Sequence, residues 1–157
     1  MDSAADTRIL TPHEVVSLVP QQEPFRFVDR LLEVDGDHSI GQYRWQASSD
    51  FYRGHFPGDP VTPGVLLVES MAQCGVVSIA IFAFYRDYGE AEAQKYQILF
   101  TDTTVDFSGV VRPGELVTTS TRVLFNRRKK IRVESEMRLE DGSLVCSGQL
   151  AGIGVQI

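Results

Sequence analysis

The stretch from Val65 to Tyr85 constrains the fold most, because its apolar residues lie nearly all round a helix rather than along one stripe. Glu69, Gln73 and Ser78 interrupt it. A helix without a broad polar face is stable only when other elements cover it. The sequence therefore predicts one central helix of about 20 residues, on the order of 30 Å long, that begins after Gly64.

A membrane-spanning helix is the alternative for such a stretch. Its clean apolar part runs from Val76 to Tyr85 with one break at Ser78, whereas a bilayer needs about 20 apolar residues. A carboxylate at Glu69 would also be costly in lipid. Residues 1–20 lack the basic start and apolar core of a signal peptide. We therefore expect no membrane association and a soluble, cytoplasmic protein.

Strand patterns flank the predicted helix on both sides in the chain. Runs 25–34 and 39–47, joined by the turn 35–37, predict a hairpin. Five further runs follow the helix, at 96–100, 105–111, 116–126, 131–139 and 144–152. A curved antiparallel sheet wrapped around one helix is the simplest way to cover that helix. We therefore expect an α+β fold in a single domain, 1–157.

The N-terminal residues predict a short helix before the hairpin. Thr11 is placed as the N-cap, Pro12 as a first-turn proline and Glu14 as an early acidic residue. The helix should end near Pro20. Residues 1–10, which precede this cap, are expected to form a loose arm.

Composition limits the class of function. The chain has 157 residues, of which 43% are hydrophobic, enough for one sizeable core. Its net charge of -6 would repel nucleic acid, so we expect no nucleic-acid partner. Cys74 and Cys146 lie far apart and lack the spacing of a metal site or a disulfide scaffold.

The loop 48–64 presents the first candidate for chemistry, His55. Three prolines and three glycines share this loop. Prolines fix backbone angles, and glycines permit backbone shapes that other residues rarely adopt. Such a loop can hold one imidazole in a fixed direction, which favours a catalytic base over a surface histidine.

The helix that follows supplies the second candidate, Glu69. Its neighbours are apolar, so burial should raise the pKa of its carboxyl group and let it donate a proton near neutrality. Gln73, four residues later, lies on the same helix face and can orient that carboxyl group. The amides around Gly64 to Leu66, at the helix N-terminus, should have no intrahelical partner and can polarise a carbonyl. We group Gly64, Val65 and Gln73 as substrate-site residues.

These residues carry a resemblance to a known family. The stretch 54–73 (GHFPGDPVTPGVLLVESMAQ), together with 24–30 (PFRFVDR), closely resembles the glutamate-type 3-hydroxyacyl-[acyl-carrier-protein] dehydratases. The resemblance runs from about Val19 to the C-terminus. It implies a hotdog fold and dimers whose sheets join edge to edge, with a tunnel at the interface.

The resemblance also implies roles for the site residues. His55 takes the position of the base from one subunit and Glu69 that of the acid from the other, while Gly64 and Val65 contact the thioester carbonyl. The reaction would convert a 3-hydroxyacyl thioester, carried by acyl carrier protein or coenzyme A, to the trans-2-enoyl thioester. It requires no metal and no organic cofactor. Val76, Ile79, Ala80 and Ala83 are candidates for the tunnel wall.

Three features depart from the family pattern. Residues 19–23 (VPQQE) lack the usual histidine before Pro24, Thr62 replaces an apolar residue, and 105–111 (VDFSGVV) lacks the usual basic residues. They suggest a substrate preference outside housekeeping fatty-acid synthesis, such as polyketide or polyene synthesis. The basic run 126–132 is either a solvated hairpin tip or a docking patch for an acidic carrier protein.

Two other classes of function stay open at this point. An acyl thioesterase on the same fold would release free acid and thiol instead of an unsaturated thioester. A non-catalytic acyl-thioester binding module would keep the tunnel without the acid and base. The presence of both His55 and Glu69 favours the dehydratase.

Overall fold

The computed structural model describes residues 6–157 and has one six-stranded antiparallel sheet. Its strands are β1 (Arg30–Val34), β2 (His38–Arg44), β3 (Tyr96–Phe107), β4 (Leu116–Arg127), β5 (Lys130–Leu139) and β6 (Leu144–Gln156), in the order β1-β2-β4-β5-β6-β3. The helices are α1 (Pro12–Leu18), α2 (Gly64–Ala72), α3 (Ser78–Tyr88) and α4 (Glu90–Ala93). A 3-10 helix spans Asp50–Arg53, and a π-helical turn at Gln73–Val77 joins α2 to α3.

The continuous helix Gly64–Tyr88 is the centre of the fold, as the sequence predicts. Met71, Ile79 and Ala80 have no exposed surface and pack with the inner side chains of the sheet. By length and composition alone this helix could cross a membrane. However, 72% of its most apolar 18-residue stretch is buried inside the fold. Its apolar character is therefore explained by its place in the core.

Small and hydroxyl-bearing residues let the helix lie directly on the sheet. A Cβ atom on Gly75 would lie 2.7 Å from the Thr121 hydroxyl oxygen, so only a glycine permits this approach. The Ser39 hydroxyl donates to the Cys74 carbonyl at 2.8 Å. The π-helical turn is thus pressed against β2 and β4, and it sets the depth at which the long helix sits.

The N-terminal helix has the predicted cap. The Thr11 hydroxyl accepts from the Glu14 amide at 3.2 Å, and the Glu14 carboxylate accepts from the Thr11 amide at 2.8 Å. This reciprocal pair is a capping box. Of the predicted arm, 1–5 lie outside the described residues. In the described part, Leu10 is buried and the Arg8 amide donates to the Tyr85 carbonyl at 3.2 Å.

Several predicted strand boundaries are wrong, including the ends of β2 and β6, which lie at Arg44 and Gln156 rather than 47 and 152. β1 begins at Arg30 rather than Phe25, because the backbone around Phe27 bonds to side chains of the long helix instead of a strand. The runs 96–100 and 105–111 form one strand, β3, which continues through the polar residues between them and ends at Phe107. Pairing with β6 along the whole length of β3 overrides the local polar break.

A charged cluster closes the turn of the first hairpin. The His38 ring lies 2.8 Å from the Glu33 carboxylate through Nε2 and 3.0 Å from the Asp35 carboxylate through Nδ1. The hydrogen bond to Glu33, together with the charge of Asp35, raises the pKa of His38 above its ordinary 6.5.

This cluster predicts a pH-dependent contribution to stability. Because the folded-state pKa of His38 is raised, its stabilising effect is full below pH 6.5 and is lost as the pH rises through the raised value. We expect His38→Ala to lower the melting temperature at pH 5.5 and to leave it unchanged at pH 9. His13→Ala, on the exposed side of α1, is the control. An equal loss at both pH values would show that His38 acts through packing alone.

Candidate active site

The loop before the long helix holds His55 by hydrogen bonds on both sides of the residue. Its amide donates to the Phe51 carbonyl at 3.1 Å, and its carbonyl accepts from the Val61 amide at 2.9 Å. The half-buried ring stacks on Phe56, with 4.2 Å between ring centroids. The loop therefore fixes both the backbone and the ring plane of His55.

One ring hydrogen bond determines which nitrogen of His55 is free. Nδ1 lies 2.9 Å from the Val61 carbonyl oxygen. A carbonyl oxygen only accepts, so Nδ1 carries the proton and the lone pair of the neutral ring is on Nε2. His55 is thus arranged to take up a proton at Nε2.

Glu69 lies one turn into the long helix, next to Gln73. The Gln73 Nε2 group donates to Glu69 Oε1 at 3.0 Å, as the i, i+4 spacing predicts. Gln73 has no exposed surface and is itself fixed: Nε2 also donates to the Phe25 carbonyl at 2.9 Å, and Oε1 accepts from the Phe27 amide at 2.7 Å. Gln73 therefore ties the carboxyl group of Glu69 to the segment before β1.

The surroundings of Glu69 change its proton affinity. Burial raises the pKa of its carboxyl group above the ordinary 4.5, and the hydrogen bond from Gln73 opposes only part of that shift. A carboxyl group in such a place keeps its proton to higher pH than a surface glutamate. The pKa of Glu69 is shifted in the expected direction, and the role of Glu69 as a proton donor stays a prediction.

Within the described residues, two amides at the N-terminus of the long helix have no hydrogen-bond partner. Leu66 and Leu67 both donate to the Pro63 carbonyl, at 3.0 and 3.2 Å, so the expectation of a free amide at Leu66 is wrong. The amides of Gly64 and Val65 come too early in the helix to have an intrahelical acceptor. A Cβ atom on Gly64 would lie 3.1 Å from the Phe107 ring at the end of β3, so glycine leaves room for this approach.

Two residues of the loop were not identified as site residues from the sequence. The Tyr52 hydroxyl and the Thr62 hydroxyl lie 2.6 Å apart, and both side chains are buried. The Thr62 amide donates to the Val111 carbonyl at 2.8 Å. The only sequence signal was that a hydroxyl residue stands at 62 in place of an apolar one, which does not reveal its partner ten residues away.

The structure brings the predicted site residues onto two adjoining elements, but within residues 6–157 no hydrogen bond joins His55 to Glu69.

The candidates for the tunnel wall pack inward: Val76, Ile79 and Ala80 belong to the core between helix and sheet. A cavity of about 540 Å³ lies on strands β2, β4 and β5 rather than at His55. Among the described residues, no three metal-ligating side chains gather at one point.

The basic run forms the turn between β4 and β5. Arg128 and Lys129 occupy the turn with φ of 52° and 59°, the left-handed conformation of a tight hairpin connection. The Lys129 ammonium group lies over the rings of Tyr88 and Tyr96, at 4.5 and 4.7 Å. Arg127 and Arg128 are exposed. The tip thus presents two guanidinium groups to solvent.

Solved structures identify the fold. The chain superposes on a subunit of the dehydratase heterocomplex ApeI:P from Xenorhabdus doucetiae with a TM-score of 0.70 at 15% identity, covering 94% of this chain and 93% of that one. A thioesterase from Haemophilus influenzae gives a TM-score of 0.63 at 14% identity, covering 96% and 94%. The protein has a hotdog fold, as the resemblance implies.

Sequence comparison, rather than these structures, identifies the family. A model of the FabA-like domain matches residues 19–149. The 3-hydroxyacyl-[acyl-carrier-protein] dehydratase FabZ of Caldicellulosiruptor bescii is 32% identical over 87% of this chain and 93% of its own length. That of Oenococcus oeni is 34% identical over 90% and 96%. The chain belongs to the 3-hydroxyacyl-[acyl-carrier-protein] dehydratase family.

The raised pKa of Glu69 makes a prediction about stability. Ionisation of the half-buried carboxyl group opposes folding, so wild-type stability should fall as the pH rises from 4.5 through the raised folded-state pKa. Glu69→Gln carries no charge there, and we expect its melting temperature to exceed that of the wild type increasingly over this range. Thermal unfolding at closely spaced pH values measures the difference.

A second glutamate provides a control of opposite sign. Lys95 lies 2.8 Å from Glu92 and lowers the pKa of that exposed carboxyl group. Glu92→Gln should therefore lose stability relative to the wild type above pH 4.5, and this loss should vanish as the pH falls through the lowered pKa. If Glu69→Gln and Glu92→Gln behaved alike, burial would not be the cause of the Glu69 shift.

Proposed function

We propose that the protein removes water from a 3-hydroxyacyl thioester, with His55 as the base and Glu69 as the acid. The proposal rests on the presence of one group that can accept a proton and one that can donate it. His55 has a free lone pair at Nε2 because Nδ1–H donates to Val61. Glu69 has a raised pKa because its carboxyl group is half-buried. Membership of the dehydratase family supports the same reaction.

The first step acts on C2 of the substrate. Its proton is only mildly acidic, and Nε2 of His55 accepts it as the C2–H bond breaks. Negative charge then develops on the thioester oxygen, where the amides of Gly64 and Val65 donate. Donors aimed at a developing oxyanion are among the larger contributions to catalysis, worth about 10²–10³ in rate where measured.

The second step acts on C3. Hydroxide is a poor leaving group, so Glu69 gives its proton to the C3 oxygen as the C–O bond breaks and water departs. The electron pair of the former C2–H bond forms the double bond of the trans-2-enoyl thioester. Transfer of the proton from His55 back to Glu69 through solvent restores both groups. Each assisted proton transfer contributes about 10²–10⁴ in rate.

Conversion of a 3-hydroxyacyl thioester tests this reaction directly. We expect the purified protein to form the conjugated enoyl thioester, followed by its ultraviolet absorbance, and His55→Ala and Glu69→Gln to lower kcat at least about 100-fold. Both carriers, acyl carrier protein and coenzyme A, are assayed. Glu92→Gln should retain wild-type kcat, because Glu92 takes no part in the proposed reaction.

The products separate the dehydratase from its alternatives. Free acid and thiol would identify a thioesterase, and binding of the thioester without turnover would identify a binding module. Both results would contradict the proposal, provided that circular dichroism shows the protein to be folded.

We further propose that the active form is a homodimer joined through β3. This strand lies at the end of the sheet, and within the described residues it pairs only with β6. Leu99, Phe100 and Phe107 expose 42–51% of their surface along it. A 12-residue strand with a free edge and exposed apolar side chains is otherwise a site of aggregation. Pairing with a second copy covers it.

This dimer also accounts for the lack of a hydrogen bond between His55 and Glu69 within residues 6–157. Phe107, at one end of β3, lies against Gly64 at the start of the long helix. An edge-to-edge partner therefore lies beside that helix N-terminus. We propose that each site takes His55 from one subunit and Glu69 from the other, as the family resemblance implies.

Mixing two inactive variants tests the shared site. After joint unfolding and refolding of His55→Ala with Glu69→Gln, half of the dimers are mixed, and each mixed dimer keeps one intact site. We expect about a quarter of the wild-type activity. If each subunit supplied both residues to its own site, every site in the mixture would lack one residue. Activity would then stay at the level of the separate variants.

The carrier of the acyl group is proposed to be an acyl carrier protein. The exposed guanidinium groups of Arg127 and Arg128 form a basic tip on a chain whose net charge is -6. An acidic partner would be drawn to this tip and away from the rest of the surface. We place the reaction in the cytoplasm, in fatty-acid synthesis or a related polyketide or polyene pathway.

A further inference from the structure

The loop that carries His55 contains a buried hydroxyl pair with no part in the reaction steps above. Tyr52 and Thr62 each expose 5% of their surface, and their hydroxyl oxygens lie 2.6 Å apart. Tyr52 belongs to the 3-10 helix Asp50–Arg53 that leads into His55. Thr62 directly follows Val61, the residue whose carbonyl binds the His55 ring.

The position of Thr62 is determined by several independent contacts. Its amide donates to the Val111 carbonyl at 2.8 Å, just before β4. The next residue, Pro63, caps the long helix and has its φ fixed by the ring. With Thr62 held on both sides and through its hydroxyl, the preceding peptide, which contains the Val61 carbonyl, has little freedom to turn.

The hydroxyl pair joins the two ends of the segment 52–62. On the N-terminal side, Tyr52 adjoins Phe51, whose carbonyl accepts from the His55 amide at 3.1 Å. On the C-terminal side, Thr62 adjoins Val61. Both hydroxyls are buried, and a buried hydroxyl without a partner is unfavourable, so the contact stays closed. Burial also raises the pKa of Tyr52, which keeps its hydroxyl neutral and able to donate.

We propose that Tyr52 and Thr62 are positioning residues, and that their hydrogen bond holds the Val61 carbonyl where it keeps His55 protonated at Nδ1 and free at Nε2. The inference rests on the proposed role of His55 as the base. Proton transfer requires the base within hydrogen-bond reach and in the correct tautomer. A small displacement of the supporting carbonyl therefore reduces the rate without touching the substrate.

Four variants separate positioning from stability. Thr62→Val and Tyr52→Phe each leave one buried hydroxyl unpaired, so both should lower the melting temperature and lower kcat about tenfold, with KM within about twofold of the wild type. The double variant leaves no unpaired hydroxyl. It should regain the melting temperature but keep the reduced kcat, since the hydroxyl bond that restrains the Val61 carbonyl is absent. Thr62→Ser retains the hydroxyl and should keep wild-type kcat.

The opposite pattern would overturn the inference. If the double variant regained kcat together with stability, or if both single variants kept wild-type kcat, the pair would serve folding alone. A failure of the proposed reaction is recognised separately, because the wild type would then form no enoyl thioester.

A measurement that does not depend on turnover tests the positioning of His55 even if the wild type forms no enoyl thioester. Nitrogen-15 chemical shifts of the His55 ring, assigned by comparison with His55→Ala, report which ring nitrogen carries the proton. We expect the Nδ1-protonated form in the wild type and in Thr62→Ser, and a mixture of tautomers in the double variant. An unchanged tautomer in the double variant would contradict the positioning role.

Discussion

Burial of the helix Gly64–Tyr88 against the sheet is the constraint on which the rest of the structure depends. Every polar group carried into the core with it needs a partner, since an unpaired buried polar group is costly. Ser70 meets this need by donating to the Phe27 carbonyl and Ser78 by donating to the Gln73 carbonyl. Gln73 does so by binding the segment before β1 and Glu69 together. The orientation of Glu69, the proposed acid, thus follows from the packing of the helix.

His55, the proposed base, is held in place by a different kind of contact. His55 lies on a loop, and its ring direction depends on one carbonyl, that of Val61. Loops position side chains well only when other contacts restrict them. Here a buried hydroxyl pair, a backbone bond to Val111 and a helix start supply those contacts. Glu69 is therefore fixed by a rigid helix and His55 by a restrained loop, and the two elements meet at Gly64.

Local patterns predicted much of this architecture. The capping box at Thr11 and the bond from Gln73 to Glu69 depend on residues three and four positions apart, and both are present. The boundaries of β1 and β3 were wrong for a common reason. Phe27 looks like a strand residue, but its backbone is used by Gln73 and Ser70, more than 40 positions away. β3 contains a polar break that its pairing with β6 overrides.

The sequence by itself determined that one apolar helix must be buried, that an antiparallel sheet covers it, and that a histidine and a glutamate flank its start. These features follow from periodicity and from the backbone preferences of neighbouring residues. Only the tertiary structure decided that Nε2 is the free nitrogen of His55, that Thr62 pairs with Tyr52 and that β3 lies at one edge of the sheet. Such features depend on contacts that form only when the chain folds, and sequence spacing does not determine those contacts.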